Sequence, residues 1–159
     1  MTKPKKAETP AKQVAGFIAK FEAPLAKRVR AARTKLRQRL PTAIELVYDN
    51  YNALAIGFGP TERTSDAILS LAVFARGVHL YFIYGATMPD PDGRLEGGGK
   101  QGRFVRLTDV ALLDDPQIAA LITTAVARAR VPFAPTGHGY TVVKSVSAKQ
   151  RPRRPPSGT

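Results

Sequence analysis

The chain contains no cysteine in its 159 residues. That absence excludes a disulfide scaffold, thiolate zinc sites, iron–sulfur ligation and a cysteine nucleophile. Histidine is nearly absent as well. His79 and His138 are the only two, and no His-x-x-x-His or Glu-x-x-His pairing occurs, so the helical spacing of a zinc site is missing. No run of about 18 apolar residues exists, which removes a transmembrane helix. The stretch Met1–Lys12 is basic, but no apolar segment of signal-peptide length follows it. The reading is a soluble, cytoplasmic protein.

Acidic residues are also scarce. There are 12 against 25 Lys and Arg, for a net charge of +13. The shortage is uneven. Residues 1–40 hold 12 basic and 2 acidic side chains, and residues 131–159 hold 5 and none. Between them, residues 41–130 hold 8 basic and 10 acidic side chains. The middle of the chain is therefore ordinary, and whatever the charge does, it does through the ends.

What is present fits one domain with tails. Residues 1–13, rich in Lys, Ala, Pro and Thr, read as a disordered basic lead. The domain then spans 14–147. Val14, Phe17, Ile18 and Phe21 recur at helical spacing. A second helix is expected from Pro24 to before Pro41, with Leu25, Val29, Ala32, Leu36 and Leu40 on one face. Strand-like runs follow at Ile44–Tyr48, Ala53–Phe58, Ala67–Phe74, Val78–Tyr84 and Phe104–Leu107. The pair around Arg76-Gly77 is apolar at nearly every position. It is therefore covered on both faces or offers one face as a contact surface, and a homodimer is one expectation. Asp115-Pro116 caps a last helix, and Thr141–Val146 is a further strand candidate. Residues 148–159, rich in proline and arginine, read as a disordered basic tail. Helix, sequential strands, helix: this order argues for an α+β fold, an antiparallel sheet of about five strands with helices packed on one face.

Four segments in order carry a family likeness: "ELVYDNYNALAIGFGPTE", "AILSLAVF", "GGGKQGRFVRL" and "DDPQIAALITTAV". Together they resemble the YdhG-like family, a bacterial domain of unknown function, over roughly residues 17–130. The closing "KSVSAKQRPRR" is similar to the end of one subgroup. The resemblance implies an α+β fold like that of secretion chaperones. It supplies no general activity and no catalytic residue. One branch has been described as frataxin-like, an iron-binding role.

The candidate sites are few. Gly97-Gly98-Gly99-Lys100 suggests a phosphate loop, but the position five before Gly99 is Arg94, Gln101 replaces the magnesium-binding hydroxyl, and a strand follows instead of a helix. A weaker anion site remains, in which glycine N–H groups form a nest and Lys100 and Arg103 add charge, with Arg94 and Arg106 nearby. Arg103 and Arg106 fall on opposite faces of a strand, so at most one joins it. The plain alternative is a flexible loop, although long loops in compact domains are often functional. The "YDNY" of Tyr48–Tyr51 reads as a turn or a polar pocket. Asp90 and Asp92 in "PDPDG" begin like a calcium loop but lack the twelfth-position glutamate. Ser65 and Ser70 lack a nucleophile elbow, and Asp114 and Asp115 are explained by capping. No metal site and no cofactor is assigned, and an enzyme is not expected.

The second helix is the feature that stands out. Lys27, Arg28, Arg30, Arg33, Lys35, Arg37 and Arg39 face no acid between Glu22 and Glu45. With Lys3–Lys6 and with Arg151, Arg153 and Arg154 as arms, this surface suits a nucleic acid, an acidic protein or an anionic membrane surface. No helix-turn-helix or aromatic RNA-binding motif accompanies it, so nucleic-acid affinity would be electrostatic. A basic helix is also the wrong chemistry for iron, which as a hard ion prefers clustered carboxylates.

Overall fold

The computed structural model describes residues 8–156. Helix α1 (Pro10–Ala19) starts where Thr9 Oγ1 accepts the Lys12 amide at 3.2 Å and Pro10 needs no partner. The lead expected to be disordered through residue 13 is thus helical from Pro10. Lys3–Lys6 lie outside the described residues. Helix α2 (Ala23–Arg39) opens on Pro24 and buries Leu25, Val29, Ala32 and Leu36. After the strands, α3 (Pro116–Ala127) is capped by Asp115, whose Oδ1 accepts the Gln117 amide at 2.9 Å. That backbone bond, helped by Arg94, holds the Asp115 carboxyl below its ordinary range despite partial burial.

The strands are β1 (Ile44–Asp49), β2 (Leu54–Gly59), β3 (Leu69–Phe74), β4 (Gly77–Phe82), β5 (Arg103–Arg106) and β6 (Thr141–Val146). The sheet order is β5-β4-β3-β2-β1-β6. The first five form an antiparallel meander. The sixth corrects the sequence expectation, because β6 joins the β1 edge in parallel and makes the sheet mixed. The chain reaches that edge through Gly139. The Gly139 amide donates to the Pro41 carbonyl at 2.8 Å, and an added Cβ would sit 1.8 Å from the Ala43 oxygen. Only glycine fits there without moving backbone.

Period-two alternation sends Leu54, Ile56, Phe58, Leu69, Leu71, Val73, Leu80 and Phe82 to one face of the sheet. They join Val14, Ile18, Val29, Leu36, Ile118 and Ile122 of the helices in one core. None of the described α-helices covers the opposite face.

The tail also differs from its expected disorder over residues 148–156. Arg153 is buried, 6% exposed, and its Nη2 lies 2.9 Å from Asp49 Oδ1. The same nitrogen donates to the Asn50 carbonyl. Its guanidinium lies over the Phe21 ring at 5.8 Å. Arg151 N–H donates to the Tyr51 carbonyl at 2.8 Å, and Arg154 Nε to the Lys20 carbonyl at 3.0 Å. A proline- and arginine-rich segment docks because one buried carboxylate, Asp49, gives its arginine a destination.

Candidate functional site

The residues of the glycine–lysine loop do not converge on a common point. Arg103 Nη1 donates to the Gly99 and Gly102 carbonyls, so the guanidinium closes the loop on itself. Arg94 Nη1 turns to Gln117 at 2.8 Å and Asp115 at 3.4 Å, on the cap of α3. Gly97 takes φ +112°, and Gly98, Gly99 and Lys100 are exposed. Asp90 organises the loop's start by accepting the Arg94 and Leu95 amides at 2.9 and 3.0 Å. That is turn chemistry. Arg106, on the other face of β5, lies 3.5 Å from Glu96.

The basic helix divides. Arg33 makes a two-pronged bond to the buried Glu45, with Nε and Nη2 each 2.7 Å from a carboxylate oxygen. Lys35 pairs with Asp114, and Arg39 lies 3.7 Å from the same carboxylate. The Lys35 bond, offset in part by burial, keeps Asp114 below its ordinary range. Lys27, Arg30 and Arg37 point to solvent, as do Arg151 and Arg154 of the tail. Arg28 is half-buried and lines a cleft. Arg153, as described above, faces inward. The ten basic positions therefore do not form one surface.

Tyr48 Oη and Thr64 Oγ1 share a hydrogen bond at 2.6 Å, while Tyr51 stacks under Arg151. Among the described residues no group of three or more His, Asp or Glu side chains is placed to hold a metal. Asp66 is buried and held by Thr61 Oγ1 at 2.8 Å and Arg130 at 3.2 Å. The Thr61 bond is the main reason its carboxyl lies below the usual range.

The open face of the sheet holds what the sequence reading missed. Its floor is small: Ala55 and Gly57 on β2, then Ser70 and Ala72 on β3. In register these positions sit side by side, Ala55 opposite Ala72 and Gly57 opposite Ser70. Larger side chains stand on both flanks. Leu46 and Tyr48 rise from β1, and His79, Tyr81 and Phe104 from β4 and β5. The His79 and Phe104 rings stack at 4.2 Å and 5°, making a flat wall. Tyr81 is held close by Gly102, where an added Cβ would lie 1.7 Å from its hydroxyl. The result is an apolar groove of about 540 Å³, within the range of small-ligand sites. Burial is the main reason the His79 pKa is lowered, and Arg106 pushes it the same way. The signal in the sequence was size alternation: small residues at 55, 57, 70 and 72 between large ones at 54, 56, 58, 69, 71 and 73.

No family model, no curated protein and no solved structure matches the chain. None of the described helices is long and apolar enough to cross a membrane.

Proposed function

We propose that the protein is a non-enzymatic binding protein of the YdhG-like type, and that it holds a small apolar ligand in the open-face groove. One observation carries this reading: a sheet face with a floor of alanine, glycine and serine, flanked by aromatic walls, and with none of the described α-helices above it. A face that needed only solvent would be polar in alternation with the core. Here the floor is too small to fill its own space, and the walls are too apolar to favour water in it. The wall side chains also suit holding better than chemistry. His79 stacks on a ring instead of a carboxylate, and Ser70 Oγ bonds the Leu71 carbonyl at 3.4 Å.

The groove is a different place from the anion site expected in the Gly97–Arg106 loop, where Arg103 bonds the Gly99 and Gly102 carbonyls. An iron role finds little support, since Asp49, Asp66, Asp114 and Asp115 each answer a separate cation. A bacterial cytoplasmic setting rests on the family resemblance.

The test is titration with N-phenyl-1-naphthylamine, a neutral dye whose emission rises in apolar sites. Saturable one-to-one binding is expected. Ala72→Glu puts an unpaired carboxylate on the groove floor, which is costly to desolvate, and it should weaken binding more than about tenfold, equivalent to about 1.4 kcal/mol. Its melting temperature should stay near that of the parent. Lys100→Ala should leave dye binding unchanged. Absence of saturable binding, or unaltered binding by Ala72→Glu, would overturn the assignment.

A further inference from the structure

The apolar groove has a neighbour at one end. Phe74 and His79 line it, and both also line an adjoining cleft of about 460 Å³. The Phe74 and His79 rings lie 5.3 Å apart at this junction. Beyond them the chemistry changes. Arg28 of α2, Arg76 of the β3–β4 turn and Arg106 of β5 all line the second cleft, and no acidic residue does.

Arg28 is half-buried there, while Arg76 and Arg106 line the cleft with exposed side chains. Four arginines elsewhere are answered by carboxylates, Arg33 by Glu45, Arg94 by Asp115, Arg130 by Asp66 and Arg153 by Asp49, while Arg30, Arg37, Arg151 and Arg154 face solvent. Arg28 and Arg76 have no carboxylate partner among the described residues. Arg106 has one distant partner, Glu96 at 3.5 Å, and Glu96 does not line the cleft. Guanidinium forks are the side chains best suited to planar oxyanions. His79 at the junction adds no competing negative charge.

The geometry points to a soluble aryl oxyanion as the ligand: a flat aromatic body against the His79–Phe104 wall, and a carboxylate, phosphate or sulfonate among Arg28, Arg76 and Arg106. The inference rests on the groove reading above and adds the headgroup to it. The two clefts adjoin at Phe74 and His79, one apolar and one lined by arginines, and an amphiphilic anion is complementary to both. A neutral ligand would use none of the three arginines. An inorganic anion would leave the groove empty.

Two probes of one skeleton separate the parts. 1-Anilinonaphthalene-8-sulfonate carries the same rings as N-phenyl-1-naphthylamine plus one sulfonate. With the full chain at low salt, the sulfonate probe should bind at least about tenfold tighter, since a bond between charged groups supplies that much. The advantage should shrink as salt is added. Arg28→Ala with Arg76→Ala should erase most of it and leave the neutral probe's affinity within about twofold. Arg106→Ala should erase part. Lys27→Ala with Arg30→Ala, on the exposed helix face, should change neither probe.

Equal affinities for the two probes would overturn the headgroup assignment while leaving the groove reading intact. A sulfonate advantage that survives the Arg28/Arg76 pair but falls with Lys27/Arg30 would overturn it as well, because the charge would then be diffuse. Binding of neither probe would remove the groove reading itself. A dimeric mass by light scattering with no probe binding would assign the face to a second copy of the chain, and both statements would fall.

Discussion

Arg153→Met is expected to lower the melting temperature by about 6–12 °C at neutral pH, for a loss of about 3 kcal/mol. Methionine keeps a stem against Phe21 but removes the charge. Asp49, fully buried, would then keep Lys20 at 2.9 Å as its one remaining cation, with a side chain 42% exposed, beside the neutral Gln150. Breaking a buried pair by removing one partner costs about 3–5 kcal/mol, and the surviving lysine argues for the low end. The pH dependence has a definite sign. Burial pushes the Asp49 carboxyl up, but Gln150, Lys20 and Arg153 together outweigh it, so the folded value lies below the ordinary 3.8. A depressed carboxyl contributes stability above the unfolded pKa and loses it as pH falls through the folded one. The gap between parent and variant should therefore be widest near neutrality and close in strong acid. Thermal melts at pH 7 and in strong acid would read it. Equal melting temperatures at pH 7 would mean that the tail is not held by this pair. Arg151→Ala and Arg154→Ala, whose side chains are exposed, should cost at most about 1 kcal/mol each. Cutting the chain at residue 148 removes charge and a structural clamp together. Electrostatic binding is better tested with the Arg151 and Arg154 variants alone.

That contrast explains which parts of the molecule the sequence made legible. Helix α3 was readable because Asp115 and Pro116 act within one turn of each other. Helix α2 and the antiparallel strands were readable because apolar spacing is local. The parallel pairing of β6 was not. Its partner strand lies about a hundred residues earlier, and nothing within "TVVKSV" specifies direction. The docked tail was unreadable for the same reason. Composition averages over a window, whereas Arg153 is fixed by one carboxylate 104 residues away. Counting charges misread the basic helix too. The gap between Glu22 and Glu45 looked like an acid-free surface, yet Glu45 on β1 meets Arg33 on α2. The open-face groove depends on register, which places Ala55 beside Ala72. Size alternation within each strand was visible, but the summed vacancy across strands was not.

The second large effect is expected at that returning glutamate. Glu45→Ala should cost about 3–5 kcal/mol, a fall of about 6–20 °C in melting temperature. Glu45 is 2% exposed and accepts three short bonds, two from Arg33 and one from Thr141 Oγ1 at 2.7 Å. Alanine leaves the arginine, 16% exposed, without a counter-charge in a place it cannot leave cheaply. It also frees Thr141, the first residue of β6. Hydrogen exchange should therefore quicken at Val142–Val146 more than at β3 or β4. The pair as a whole is a different matter. Buried ion pairs gain little over well-packed apolar residues, so Arg33→Met with Glu45→Leu should recover to within about 1 kcal/mol of the parent. The double-mutant cycle then isolates the coupling from the burial of either group. An alanine variant as stable as the parent would show that Arg33 can leave the core for solvent. In that case Arg33 would count among the free charges of α2. If the loss appears as expected, Arg33 is structural, and the helix's accessible charge reduces to Lys27, Arg30, Arg37 and Arg39 outside, the last beside Asp114, and Arg28 in the cleft.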